Sequence, residues 1–174
     1  MSTLAFWKAI LPDQATSLEY LTSLLAEHRV CYCLTGDYAV DAYADPLVTL
    51  DLELVVAAGH ISTLESLCEG RLHAERFPHS LNLSMPGSNL RVQIQTDPRY
   101  SRVLERASLR EVLGLTLPVA HVEDVLQGKV WAAMEPGRRA SKRRKDLLDI
   151  ERLLEAYPHL RDRVPPEILE RIQL

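Results

Sequence analysis

Residues Leu34 to Val56 read LTGDYAVDAYADPLVTLDLELVV, and they put two acids inside an otherwise apolar run. In TLDLELVV, Leu50, Leu52 and Leu54 alternate with Thr49, Asp51 and Glu53, the period of a strand with one apolar and one polar face, so Asp51 and Glu53 share a face. Two carboxylates at that spacing can chelate a hard cation such as Mg²⁺. The plainer reading, alternating acids on a solvent-facing sheet, is the one periodicity alone favours. Upstream, the strand-like RVCYCL breaks at Thr35 and Gly36, and DYAVDAYA restarts as a short helix that Pro46 ends. A glycine opening a helix after a strand is a suitable cradle for phosphate, which favours the chelating reading of the acids.

Outward from that stretch, SLEYLTSLLAEH sets Leu18, Leu21, Leu24 and Leu25 at helical spacing. ISTLESLCE reads as a helix, and LHAERF, SLNLSM and LRVQIQT as three strands, the last two joined by a turn at Pro86-Gly87-Ser88-Asn89. From His121 the pattern predicts three helices, HVEDVLQGKVWAAM, SKRRKDLLDIERLLEAY and PPEILERIQ. The order is α+β, a mixed sheet first and helices last. At 174 residues and 47% hydrophobic content the chain suits one domain, with a sheet-containing core over about 15–119 and a helical part over about 120–174.

The formal net charge of -4 is unevenly spread: RRASKRRK, Arg138 to Lys145, holds six of the 20 basic residues. A basic stripe on an acidic body suggests one anionic ligand site, whereas its plainer reading is a solvated helix end. The apolar start is interrupted by Lys8 and Pro12 and is too short and polar for a signal peptide or a membrane span. The three cysteines form no CxxC pair; Cys31 and Cys33 read as small core residues on one strand face, and the expected location is the reducing cytoplasm.

Two helical positions break the apolar pattern. Lys129 falls among Val122, Val125, Leu126 and Ala133, and Asp146 falls at the edge of the arc Leu147, Ile150, Leu153, Leu154, with Lys142 and Asp149 beside it. They could form an interhelical salt bridge, or aspartates could hold Lys129 and the Lys142–Lys145 cluster against phosphates.

With these residues in view, TGD, AVDAY and TLDLELVV resemble the glycine and carboxylate motifs of the nucleotidyltransferase superfamily. LPVAHVEDVLQGKVWAAMEPGRRASKRRKDLLDIERLL resembles the lysine helix and K-D-x-x-D helix of AbiEii-type nucleotidyltransferases, a group that includes toxins of bacterial toxin–antitoxin systems. The resemblance implies a nucleotidyltransferase-like mixed sheet flanked by helices, with an NTP over Mg²⁺ or Mn²⁺. It implies Thr35, Gly36 and Asp37 at the nucleotide, Asp51 and Glu53 on the metal, Lys129 in catalysis, and Lys145 and Asp146 on the nucleotide or acceptor side. The acceptor would be RNA, protein or a small hydroxylated molecule, with a cognate antitoxin as partner and no membrane. There are three departures from the pattern: Asp37 stands where a second glycine or a serine is common, Glu53 where a second aspartate is, and Gln93 and Gln95 where a third carboxylate is expected. Compensation by Asp97 or Asp37, a site with one metal, or a silent nucleotide- or partner-binding module are the alternatives these departures leave. A nucleic-acid binder without chemistry is disfavoured by the few aromatics, and no GxSxG, HExxH or P-loop pattern occurs.

Overall fold

The computed structural model describes residues 3–172. Seven strands form one mixed sheet: β1 (Tyr32–Thr35), β2 (Asp51–Val56), β3 (His73–Phe77), β4 (Ser80–Ser84), β5 (Arg91–Gln95), β6 (Ser108–Val112) and β7 (Leu115–Val119), in the order β3-β4-β5-β2-β1-β7-β6. The helices are α1 (Thr3–Ile10), α2 (Pro12–Glu27), α3 (Gly36–Asp41), α4 (Ile61–Cys68), α5 (Val122–Met134), α6 (Ala140–Ala156) and α7 (Pro166–Leu169). The α+β order read from the sequence is the order found. The alternation in β2 sends Leu52 and Leu54 into a core shared with Leu18, Leu21 and Leu25 of α2 and with Leu34 and Ile94, all wholly buried.

Register organises the opposite face. Thr35 of β1 pairs with Glu53, Glu53 with Gln93 of β5, Gln93 with Asn82 of β4, and Asn82 with Glu75 of β3, so one polar residue per strand runs across five strands. One step along, Asp51 pairs with Arg91. Because side chains alternate with period two, these rows lie on one face, which places Gln93 and Gln95 beside the β2 acids as the sequence pattern implied.

Three features differ from the sequence reading. The β6–β7 hairpin went unread because its turn puts Leu113 (φ 50°) ahead of Gly114 (φ 79°), and a leucine is an unusual first residue for a turn needing two positive φ values. A helix over Thr3–Ile10 also went unread, since eight residues carry little periodicity. Cys31 does not share the burial of Cys33: it precedes β1, is exposed, and its N–H donates to His60 Nδ1 at 2.7 Å. Among the described residues no helix is long and apolar enough to cross a membrane.

Candidate active site

The three elements singled out in the sequence, the β1–α3 turn, β2 and the α5–α6 pair, converge on one charge cluster. Lys129 of α5 is 4% exposed and its ammonium touches Asp37 Oδ1, lies 2.7 Å from Asp149 Oδ2 and 3.6 Å from Asp146 Oδ1. Burial alone would lower its pKa, but the attraction of Asp37, Asp149 and Glu53 overrides this and holds the ammonium firmly protonated. The salt bridge expected with Asp146 is therefore the longest of three contacts. Asp146 itself takes a forked pair from Arg138, at 2.8 and 3.1 Å.

Asp37 shows why an acid can stand where glycine or serine is usual. Its carboxylate contacts Lys129 and Lys145 and accepts from the Thr49 hydroxyl at 2.9 Å. Burial raises its pKa, yet the two ammonium groups outweigh that and keep it below the ordinary carboxylate range. Farther along α6, Arg152 donates to Asp149 at 2.7 Å and to Asp41 at 2.8 Å, tying α6 to α3 behind Lys129.

Asp51 and Glu53 share a face but have different surroundings. Asp51 is ion-paired with Lys142 at 2.5 Å and with Arg91 at 2.6 Å. Glu53 makes no ion pair among the described residues and accepts one hydrogen bond from the Gln95 amide at 3.0 Å. Burial pushes its pKa up, against the pull of Lys129. Gly36 is left-handed (φ +63°), and a Cβ there would fall 2.6 Å from Glu53 Cδ. Glycine is therefore required at this position by both backbone and packing, because the Glu53 side chain lies against it.

A cavity of about 510 Å³ opens beside this cluster. Gly36, Glu53, Lys129, Arg138 and Asp146 line it together with Gln93, Gln95, Asp97, Arg99, Tyr100 and Trp131. Asp51 and Asp37 do not reach the lining. Gly128 admits Tyr100 against α5, whose hydroxyl lies 3.2 Å from where a Cβ would be. Arg99 stacks over Trp131 at 4.7 Å, and Tyr100 meets the same ring edge-on at 5.6 Å.

The basic stripe differs from its sequence reading. Arg138, Lys142 and Lys145 turn inward onto Asp146, Asp51 and Asp37, and Arg143 donates to the carbonyl of Glu135 at 2.7 Å. Only Arg139 and Arg144 of the six remain exposed. Asp149, Asp41, Arg138, Arg152 and Arg91 belong to the cluster and were not singled out as site residues. Of these, Asp149 had a visible signal in its K-D-x-x-D spacing, and Arg138 had one as the first residue of the basic stripe.

The residues present suit a divalent cation in one arrangement. Among the described residues no three His, Cys, Asp or Glu side chains are grouped to hold a metal ion alone. Mg²⁺, however, is commonly held by one or two carboxylates with phosphate oxygens and water completing its shell. Glu53, half-buried at the cavity with no ion pair among the described residues, and Asp51, already drawing an ammonium to 2.5 Å, are such a pair.

A mixed sheet carrying these acids, faced by a lysine helix and a K-D-x-x-D helix, defines a nucleotidyltransferase fold. Solved structures agree on the fold. The antibiotic-resistance factor ANT(2'')-Ia matches with a TM-score of 0.58 at 14% identity, over 91% of this chain and 95% of that one. The lincosamide antibiotic adenylyltransferase LnuA, lincomycin-bound, gives 0.57 at 16% identity, over 81% and 96%. An antigenic nucleotidyltransferase-like protein from Paracoccidioides brasiliensis gives 0.57 at 18%, over 83% and 77%. No curated protein matches by sequence. The family model described as nucleotidyl transferase AbiEii toxin, Type IV TA system, matches residues 53–172, more than half of the chain, and the protein belongs to that family. That match includes Glu53, Lys129 and the α6 motif, and it begins after Gly36 and Asp51.

Proposed function

We propose that the protein transfers a nucleoside monophosphate from an NTP, with Mg²⁺ or Mn²⁺, to a hydroxyl acceptor. The observation that carries this reading is Glu53: a half-buried carboxylate with no ion pair among the described residues, packed on Gly36 and opening into the cavity that Lys129 also lines. Asp51 and Glu53 would hold the metal, which when bound supplies positive charge to the phosphate oxygens. Thr35, Gly36 and Lys145 would flank the triphosphate. Lys129, fixed by Asp37, Asp146 and Asp149, presents a permanent charge at the cavity wall. The acceptor oxygen bonds to the α-phosphorus, the bridge to the β-phosphate breaks, pyrophosphate leaves, and the hydroxyl proton passes to water. Gln93 and Gln95 are neutral amides and cannot take that proton. Catalysis is then positioning and electrostatic stabilisation rather than base chemistry.

RNA, protein and small hydroxylated molecules all remain acceptors under this reading. The family's description, a toxin of a Type IV TA system, supports a toxin role with a cognate antitoxin, and the role proposed here is a cytoplasmic one. A second reading, a silent nucleotide- or partner-binding module, is favoured by the amides at the third-carboxylate position and by the two cations on Asp51. Incubation with each α-labelled NTP and Mg²⁺ separates the two, because label transferred to any acceptor supports the enzyme, whereas Mg²⁺–NTP binding without transfer supports the silent module.

A further inference from the structure

We propose that the acceptor is a small, hydroxyl-rich molecule without negative charge, seated between the β5 amides and the Arg99–Trp131 wall; this rests on the nucleotidyltransferase reading above. A polyanionic acceptor needs cations available to its phosphates, because phosphate contacts dominate nucleic-acid affinity. This protein engages four of its six stripe cations within its own structure and leaves only Arg139 and Arg144 exposed. Of the six stripe residues, Arg138, Lys142 and Lys145 neutralise Asp146, Asp51 and Asp37, and Arg143 is bonded to backbone carbonyls. At the cavity, Arg99 donates from Nη2 and Nε to Asp97 Oδ2, at 2.7 and 3.0 Å, and its guanidinium carbon lies 4.7 Å from the centre of the Trp131 ring. The rest of the chain, outside the stripe, carries fourteen basic residues against 24 acidic ones, so no wider positive field attracts a nucleic acid.

What the cavity's amide and aromatic lining offers instead matches a polyol. The sheet supplies Gln93 and Gln95, whose amides both donate and accept, as hydroxyl groups do. Trp131, braced by Arg99 and Tyr100, is a fixed aromatic surface for the C–H face of a ring. Glu135 at the rim is exposed and in no ion pair among the described residues, which favours a neutral or cationic ligand over an anionic one. The cavity of about 510 Å³, which the acceptor shares with the NTP, is in the range that holds small molecules rather than polymers.

The test follows pyrophosphate release from α-labelled NTP and Mg²⁺ with three acceptor pools. The first contains glucose, inositol, glucosamine and streptamine; the second, single-stranded RNA with a free 3′-hydroxyl; the third, unfolded casein. In parallel, a thermal shift reports whether Mg²⁺ with NTP binds. The expected result is at least a tenfold rise in release, with label on a member of the first pool. Trp131→Ala should raise the KM for that acceptor several-fold while leaving the NTP concentration for half-maximal thermal shift unchanged. Label on RNA or casein, or Mg²⁺–NTP binding with no label on the first pool, overturns the proposal. Absence of any Mg²⁺–NTP binding overturns the underlying reading instead, and the proposal with it.

Discussion

Lys142 of α6 donates to Asp51 of β2 at 2.5 Å, across 91 positions of sequence, and so a helix cation sits on the strand acid assigned here to the metal. Bound metal and this ammonium compete for one carboxylate. Replacing Lys142 with Met should therefore raise affinity for Mg²⁺ alone, because Asp51 then keeps only Arg91 as counter-ion. The same change should weaken NTP binding if the freed ammonium of the wild type turns to phosphate. Calorimetric titration of both ligands checks the two signs, and unchanged Mg²⁺ affinity would show that the pair does not gate the metal.

Lys129 is surrounded by Asp37, Asp146 and Asp149, each nearly buried. Lys129→Met keeps the stem and removes the charge. Breaking a buried ionic arrangement by removing one partner costs about 3–5 kcal/mol. A urea midpoint that falls by a corresponding amount is expected; a loss below about 1 kcal/mol would mean that the three carboxylates find other partners.

Gly36→Ala should destabilise by both strain and overlap. The positive φ costs an L-residue about 1–2 kcal/mol, and overpacking typically about 1–3 kcal/mol. Because the overlap is with Glu53 Cδ, Oε1 and Cβ, at 2.6, 2.8 and 2.9 Å, and alanine keeps only the Cβ, the double variant Gly36→Ala/Glu53→Ala should recover part of the overlap cost and retain the strain. Additive losses in a double-mutant cycle would separate the two residues.

Much of this site was legible because charge interrupted periodicity. Asp51 and Glu53 alternate with leucines, and Lys129 interrupts an apolar helix face, so each announced itself by position. The pairings were not legible, because they depend on which cation of a crowded stripe reaches which acid. Arg138, Lys142 and Lys145 reach inward from α6 or just before it, whereas Arg144 does not; chain direction and helix phase relative to the sheet decide this, and neither is written locally. The β6–β7 hairpin was hidden by Leu113 at a turn position where glycine or asparagine is usual. Asp97, one of the alternatives for a compensating carboxylate, does line the cavity, but it is engaged by Arg99.

Burial raises the pKa of Glu53 above its ordinary 4.5. Between the unfolded and folded values the folded state binds more protons, so the Glu53 contribution to stability falls as pH rises through that window. Metal binding has the opposite sign, since the ligand must be ionised. Mg²⁺–NTP affinity should increase with pH from about 4.5 through the raised value. Glu53→Gln should remove that pH-dependent component, and a profile identical to wild type would take Glu53 out of the metal's shell.

The most direct test of the central claim is the thermal shift with Mg²⁺ alone, each NTP alone, and both together. Two carboxylates, one of them already ion-paired, should bind Mg²⁺ weakly until triphosphate oxygens complete its shell. A ligand at a hundred times its Kd stabilises by about 2.7 kcal/mol, which for a chain of this size is roughly 5–10 °C. The expected result is a shift of that order with both ligands for at least one NTP, little with either alone, and loss of the joint effect in Asp51→Asn. No response to any NTP with Mg²⁺ or Mn²⁺, in the wild type and in Gln95→Asp alike, would contradict the account and leave Asp51 and Glu53 as ordinary polar-face residues of a strand.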